Sequence, residues 1–235
     1  MSVGLFPQAQ IRIAGDRGLL VEYGDIIDPV VNNKVRSMAA LLEIEPIQGV
    51  LEIAPTYHSL LIIYDPVRTT PPEIQTSLAA MEDKLSQITI PPPDTVEIPV
   101  CYGGEYGPDI DFVAQNHHLT TAEVIELHSR QKYLIYTLGF APGFPFLGGL
   151  PEKLHTPRLK TPRILVPAGS VGVANNQTGI YPVASPGGWR LIGRTPLRLF
   201  APEKSNPLLY KAGDYLKFKP ISAQKYMELD ERGGE

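Results

Sequence analysis

The residues best suited to chemistry in this 235-residue chain fall mainly between Tyr136 and Phe200. Arg158 and Arg163 each follow a proline in a repeated Thr-Pro-Arg. Proline fixes the local backbone and lowers the ordering cost of a contact. A guanidinium fork suits a carboxylate or a phosphate. On arginine content alone, both are expected to be solvated or paired with acids of the other half of the chain. Gln177 and Thr178 belong to Asn175-Asn176-Gln177-Thr178-Gly179, a run of amides and a hydroxyl that could donate hydrogen bonds or serve a hairpin turn alone. Phe140, Phe144, Phe146 and Trp189 lie among glycines, where they line a groove or plug a barrel, and Tyr181 joins that wall. His128, before Ser129, sits at a helix end. A helix C-terminus favours a protonated imidazole, so a structural role is as strong an expectation as general-base work.

Other chemistry is missing from the sequence. No Gly-x-x-x-x-Gly-Lys-Ser/Thr loop is present for ATP. No His-Glu-x-x-His and no Cys/His metal constellation occurs, and the expectation is no metal. His117 and His118 are adjacent, which points them apart on a helix, so they read as surface residues. Gly169-Ser170-Val171-Gly172 fails the Gly-x-Ser-x-Gly spacing of a nucleophile elbow. Cys101, the single cysteine, excludes an internal disulfide and reads as a half-buried strand residue.

The stretch from Gly139 to Pro196 holds ten glycines and nine prolines, with six Lys or Arg against one acid, Glu152, in a chain of net charge −4. That composition forbids a long helix, while Ile164-Leu165-Val166 and Val171-Gly172-Val173 exclude a flexible linker. Short strands with demanding turns are expected, presenting a basic surface for a small anion, a phosphate or an acidic partner. The acidic balance of the whole argues against nucleic-acid binding. No apolar run is long enough to span a membrane, and the first ten residues lack a basic segment followed by an apolar core. The default is a soluble cytoplasmic protein.

Positioning these groups requires two kinds of architecture. Residues 1–90 read as ββαββα. Strands flank Gly15-Asp16-Arg17-Gly18. Asp28-Pro29 opens a helix with Val31, Val35, Met38, Leu41 and Leu42 on one face. Two strands follow over 49–54 and 59–64, and Thr70-Pro71-Pro72-Glu73 caps a second helix. That order implies an antiparallel sheet with helices on one side, an α+β unit. His58 reads as a polar strand-end residue. Pro91-Pro92-Pro93 makes a stiff boundary. Residues 95–221 read as mainly β, with a short helix over 109–116 and a capped one from Thr120. Strands are expected over 96–101, 133–138, 197–200 and 215–218. Residues 222–235 form a C-terminal tail beginning with a short helix.

The chain resembles the family of 5-oxoprolinase subunit PxpB, KipI and allophanate hydrolase subunit 1. The resemblance rests on Glu126-Leu127-His128-Ser129, the run Leu138 to Leu150, Thr161-Pro162-Arg163, Val166 to Gly172, Asn176 to Pro182 and Ser185 to Pro196. Leu19 to Gly24 and Ser59 to Ile62 extend it to the N-terminal half. The resemblance implies a cyclophilin-like barrel after a small α+β domain. It implies one subunit of an ATP-dependent hydrolase that opens 5-oxoproline to L-glutamate, inactive alone. PxpC-like and PxpA-like subunits are its implied partners, with ATP handled by the assembled complex. A poor lactam electrophile would be activated by phosphorylation of its oxygen before water attacks, which calls for cations near phosphate and an arginine for the carboxylate. The alternative it implies is a KipI-type inhibitor of sensor histidine kinase autophosphorylation. Prolyl isomerase activity rests on fold analogy alone and ranks last. The surface expected to carry function comprises the loops 139–150, 156–163 and 175–181, with Phe140, Phe144, Arg158, Arg163, Gln177, Thr178 and Tyr181, and His128 nearby.

Overall fold

The computed structural model describes residues 4–85, 88 and 92–233. Pro91, the first of the three prolines expected at the boundary, lies outside the described residues. The chain divides into two compact units, Met1–Pro92 and Pro93–Glu235.

The first unit runs β1 (Leu5–Ile13), β2 (Gly18–Gly24), α1 (Pro29–Ile44), β3 (Val50–Pro55), β4 (Ser59–Tyr64) and α2 (Pro71–Glu82). Its antiparallel sheet has the order β1-β2-β4-β3. Leu19, Val21 and Tyr23 of β2 and Leu60, Ile62 and Tyr64 of β4 alternate onto one face. There they pack with Val31, Val35 and Met38 of α1 and Ile74 and Leu78 of α2. Both helix starts follow from local chemistry. The Asp28 carboxylate accepts from the N–H of Val30 at 2.8 Å, and the Glu73 carboxylate accepts from the N–H and hydroxyl of Thr70 at 2.8 and 2.9 Å.

The second unit is a closed barrel with helices. In order it contains β5 (Thr95–Tyr102), α3 (Ile110–Asn116), α4 (Thr121–Arg130), β6 (Lys132–Leu138) and β7 (Pro145–Leu147). A single 3-10 turn (Glu152–Leu154) precedes β8 (Arg163–Val166), β9 (Ser170–Ala174), β10 (Gln177–Ile180), β11 (Ser185–Gly187), β12 (Arg190–Arg194), β13 (Tyr215–Ile221) and α5 (Ala223–Glu231). Seven strands close in the order β10-β7-β6-β13-β5-β12-β9, with β9 pairing back to β10. The β5–β13 pair is parallel and the other barrel pairs are antiparallel. Ile98, Val100, Tyr133, Ile135, Val171, Val173, Ile192 and Phe218 fill the interior. β8 and β11 stand apart as a two-stranded ribbon.

One expected strand is absent. Residues 197–200 make only an isolated bridge, Phe200 to Leu208, and the strand before them that enters the barrel is β12. Pro196 and Pro202 lack the N–H that a ladder requires on either side. The expected C-terminal helix is present: Ser222 caps it by accepting from Lys225 N–H at 3.2 Å, and Tyr226 is buried against Tyr106.

Candidate functional site

The loops that carry most of the glycine and proline converge on one groove of about 300 Å³ on the second unit. Phe140, Phe144, Phe146, Tyr181 and Trp189 form its aromatic lining, and Arg158 forms its charged edge. Phe144 is the hub. Its ring centroid lies 5.6 Å from Phe140, 5.0 Å from Phe146, 5.5 Å from Tyr181 and 5.6 Å from Trp189, three of the four edge-on. That geometry places ring edges against ring faces and holds the cluster rigidly. Gly187 is required here: a Cβ would stand 2.4 Å from the Tyr181 hydroxyl oxygen. Burial raises the Tyr181 hydroxyl pKa, partly offset by the Trp189 N–H and by the nearby Arg158 and Arg163.

Phe140 departs from packing rules. It is 71% exposed and adopts φ 62. A bulky side chain in left-handed backbone costs about 1 kcal/mol or more, and exposure returns little burial energy to offset it. Strain held at an exposed aromatic beside a groove is the kind found where a surface makes contact with something else.

The two arginines have different surroundings. Arg163 donates from Nη2 to Asp109 Oδ1 at 2.9 Å and from Nη1 to the Trp189 carbonyl at 3.3 Å. Asp109 also accepts from the Leu191 N–H at 2.7 Å, with Arg190 at 4.0 Å. Arg190 itself lies over the Phe112 ring at 3.6 Å. Arg163 thus ties β8 to the start of α3 and the start of β12. Its partner acid belongs to the same unit, whereas arginine content alone predicts solvent or an acid of the other half of the chain. Arg158 is exposed and stands 6.0 Å over the Trp189 ring, and among the described residues it forms no ion pair. Its guanidinium remains available to an anion.

His128 and Thr178 lie elsewhere, inside the barrel. His128 is fully buried on the inner face of α4. The Thr178 hydroxyl donates to the Gly172 carbonyl at 3.0 Å, so its oxygen accepts from His128 Nε2–H at 2.8 Å. His128 Nδ1 then accepts from the Tyr102 hydroxyl at 2.8 Å. The chain Tyr102–His128–Thr178–Gly172 is satisfied by one neutral tautomer, with Phe218 stacked on the imidazole at 4.5 Å. Burial lowers the His128 pKa to about 3. This corrects the expectation of a protonated imidazole at a helix end: desolvation outweighs the dipole because no water reaches the ring. Gln177 opens β10, half-buried, paired with Ala174 across the hairpin whose turn residue Asn175 has φ 52.

Of the expected residues, the structure brings Phe140, Phe144, Arg158 and Tyr181 together, with Arg163 directly behind Trp189. Asp109 is the partner of Arg163 that sequence reasoning does not find. Its ion-pair partner is 54 positions away, and nothing local marks it as more than a helix start. The Cys101 thiol is buried and its pKa is raised by burial, then by Glu105, the opposite of an activated nucleophile. Among the described residues no cluster of three or more His, Cys, Asp or Glu is placed to hold a metal, and no helix is long and apolar enough to cross a membrane.

An antiparallel α+β unit and a closed mixed barrel place the chain in the class of carboxyltransferase domains. The chain belongs to the carboxyltransferase domain family, subdomain C and D, which matches residues 9–210. It is 43% identical over 232 residues to a 5-oxoprolinase subunit of Bacillus subtilis, covering 92% of this chain and 95% of that one. A crystal structure of a conserved uncharacterized protein from Pyrococcus horikoshii is 46% identical, with a TM-score of 0.56 over 92% of this chain and 100% of that one. The urea carboxylase of Kluyveromyces lactis shares the fold at a TM-score of 0.76 and 21% identity, over 97% of this chain and 24% of that one.

Proposed function

We propose that this chain is the PxpB-like subunit of an ATP-dependent 5-oxoprolinase, and that the groove around Trp189 belongs to its working surface. The observation that carries the reading is the 43% identity to a 5-oxoprolinase subunit over nearly the full length of both chains. The groove's chemistry supports it. 5-Oxoproline is a five-membered lactam bearing a carboxylate. Flat aromatic walls suit the ring, and Arg158 offers the carboxylate a fork. Tyr181 lends a hydroxyl at the groove wall.

A single guanidinium without an ion pair matches one carboxylate better than a triphosphate, because Arg163 and Arg190 already share Asp109. We therefore assign the nucleotide to the assembled complex, with PxpC-like and PxpA-like partners, and regard the isolated chain as silent. Ile164 and Leu165 of β8 support a partner surface next to the groove: they are 91% and 64% exposed on the ribbon that Arg163 anchors. The finer description of the barrel as cyclophilin-like belongs to the same proposal. No observation on the molecule favours histidine-kinase inhibition.

The test is ADP release coupled to 5-oxoproline, with the three proteins alone and together. Turnover is expected only from the full set. Sustained turnover by this chain alone, or none from the three combined, contradicts the proposal.

A further inference from the structure

Asp109 stands at the N-cap position of α3, yet its side chain makes no capping bond there. An aspartate in that position ordinarily accepts from the first N–H groups of its helix. Here the carboxylate turns to β12 and β8 instead. Its Oδ2 accepts from the Leu191 N–H at 2.7 Å, while the Asp109 N–H donates to the Leu191 carbonyl at 2.9 Å. This two-way bond fixes one residue of β12. Arg163 donates to Oδ1 at 2.9 Å, and Arg190 lies 4.0 Å from the same oxygen. Asp109 is only 8% exposed, so these charge-assisted bonds form largely out of water, where they are strong.

The start of β12 and the residues just before it hold the loop of Arg158 in turn. The Gly188 carbonyl accepts from the Leu159 N–H at 2.7 Å, and Arg190 Nε donates to the Pro157 carbonyl at 3.4 Å. Both chain neighbours of Arg158 are therefore tied to the segment 188–190. Trp189 sits in the middle of that segment, with the Arg158 guanidinium 6.0 Å over its ring. Arg158 is exposed and forms no ion pair among the described residues, so its place over Trp189 depends on the backbone on either side of it.

We propose that Asp109 is a positioning residue of the Trp189 groove: through the Leu191 backbone and Arg190 it sets the segment 188–191, and through that segment it holds Arg158 over Trp189. Asp109 is not among the groove's lining residues, so it acts only through others. This role rests on the groove being the working surface proposed above. It does not depend on which ligand the groove takes, and it is read from the isolated full chain without turnover, so it and the 5-oxoprolinase reading fail separately.

The test uses Trp189, the only tryptophan in the chain, as its own reporter. Iodide, an anion, and acrylamide, a neutral compound, both quench indole fluorescence on contact. At fixed ionic strength the ratio of their quenching constants reads the cation beside the ring, and acrylamide alone reads exposure of the ring. Arg158→Ala should lower the iodide-to-acrylamide ratio about twofold, the screened attraction of one charge at this distance. Asp109→Ala should lower it as much with Arg158 still present. Adding Arg158→Ala to Asp109→Ala should lower it no further, because both changes remove the same contact. Asp109→Asn can still accept from the Leu191 N–H but gives up the charge. Its ratio should fall between those of wild type and Arg158→Ala, and it decides the matter if the alanine variant does not fold. In the reconstituted three-protein assay, Asp109→Asn should raise the KM for 5-oxoproline at least about twofold with kcat unchanged, the pattern of lost binding alone. A wild-type ratio in folded Asp109→Asn would overturn the proposal. So would a parallel rise of both quenching constants, which marks general loosening, or additive losses in the double variant. If the three proteins together show no turnover, the 5-oxoprolinase reading fails and the quenching ratios still decide the role of Asp109.

Discussion

Strand β10 and the residue after it serve two regions that treat polar atoms in opposite ways. Inward, Thr178 completes a chain in which the Tyr102 hydroxyl, both His128 ring nitrogens and the Thr178 hydroxyl are all paired. Outward, Tyr181 helps wall a groove where Arg158 has no ion pair among the described residues and Phe140 is exposed in strained backbone. The interior network ties α4 to the barrel strands, and its His128 and Thr178 are fully buried. The groove leaves surface and charge unspent, which a structural role does not require. A histidine in a family motif can therefore be architectural, while an arginine on a proline-rich loop stays exposed and without an ion pair among the described residues.

The comparison is broken most directly at His128. His128→Ala should destabilise the chain by about 3–5 kcal/mol, combining a buried cavity with the stranded Tyr102 and Thr178 hydroxyls. Urea denaturation measures this. An unchanged midpoint would mean that the interior network contributes little.

The same residue sets a pH dependence. The neutral folded imidazole titrates at about 3 against an ordinary value of 6.5, so the unfolded chain binds the extra proton between those values. Stability from this group is complete above about 6.5 and falls with pH toward about 3, by about 1.4 kcal/mol per pH unit. Unfolding midpoints of wild type and His128→Gln from neutral pH down to 4.5 should diverge less as pH falls. Parallel curves would contradict a buried neutral imidazole.

Arg163 sharpens the comparison from the other side. Arg163→Ala leaves Asp109 with the Leu191 N–H and a distant Arg190, and should cost about 1–3 kcal/mol in stability. A loss of assembly or turnover in that variant should track the loss of folded protein. A stable variant with abolished turnover would return Arg163 to the recognition surface.

Much of this contrast is legible in the chain itself where the controlling interactions are local. Asp28-Pro29, Thr70 to Glu73 and Thr120 to Glu123 specify their helices through bonds spanning a few residues. Alternation along Leu19, Val21 and Tyr23 specifies the buried face of β2. Glycines, prolines and aromatics mark the groove because turns and close approach demand particular residue types. The division of labour between Arg158 and Arg163 is not legible. Both sit in Thr-Pro-Arg, and only the long-range position of Asp109 separates them. The charge state of His128 escapes the sequence for a related reason. Helix position is visible in a sequence, whereas the barrel wall that closes over the imidazole from β10, β13 and Tyr102 is assembled from distant segments. The run 197–200 carries apolar alternation, but its flanking prolines decide against a ladder.

The central claim, that recognition resides in the groove and not in the barrel interior, is tested most directly at Arg158. Arg158→Ala should leave the unfolding midpoint within about 0.5 kcal/mol of wild type, as expected for an exposed side chain without an ion pair. In the reconstituted three-protein assay, the KM for 5-oxoproline should rise at least about tenfold, the loss expected for a hydrogen bond to a charged group. Arg158→Lys, which keeps the charge but loses the fork, should recover part of it. Wild-type turnover and KM from a stable, fully assembled Arg158→Ala complex would contradict the account.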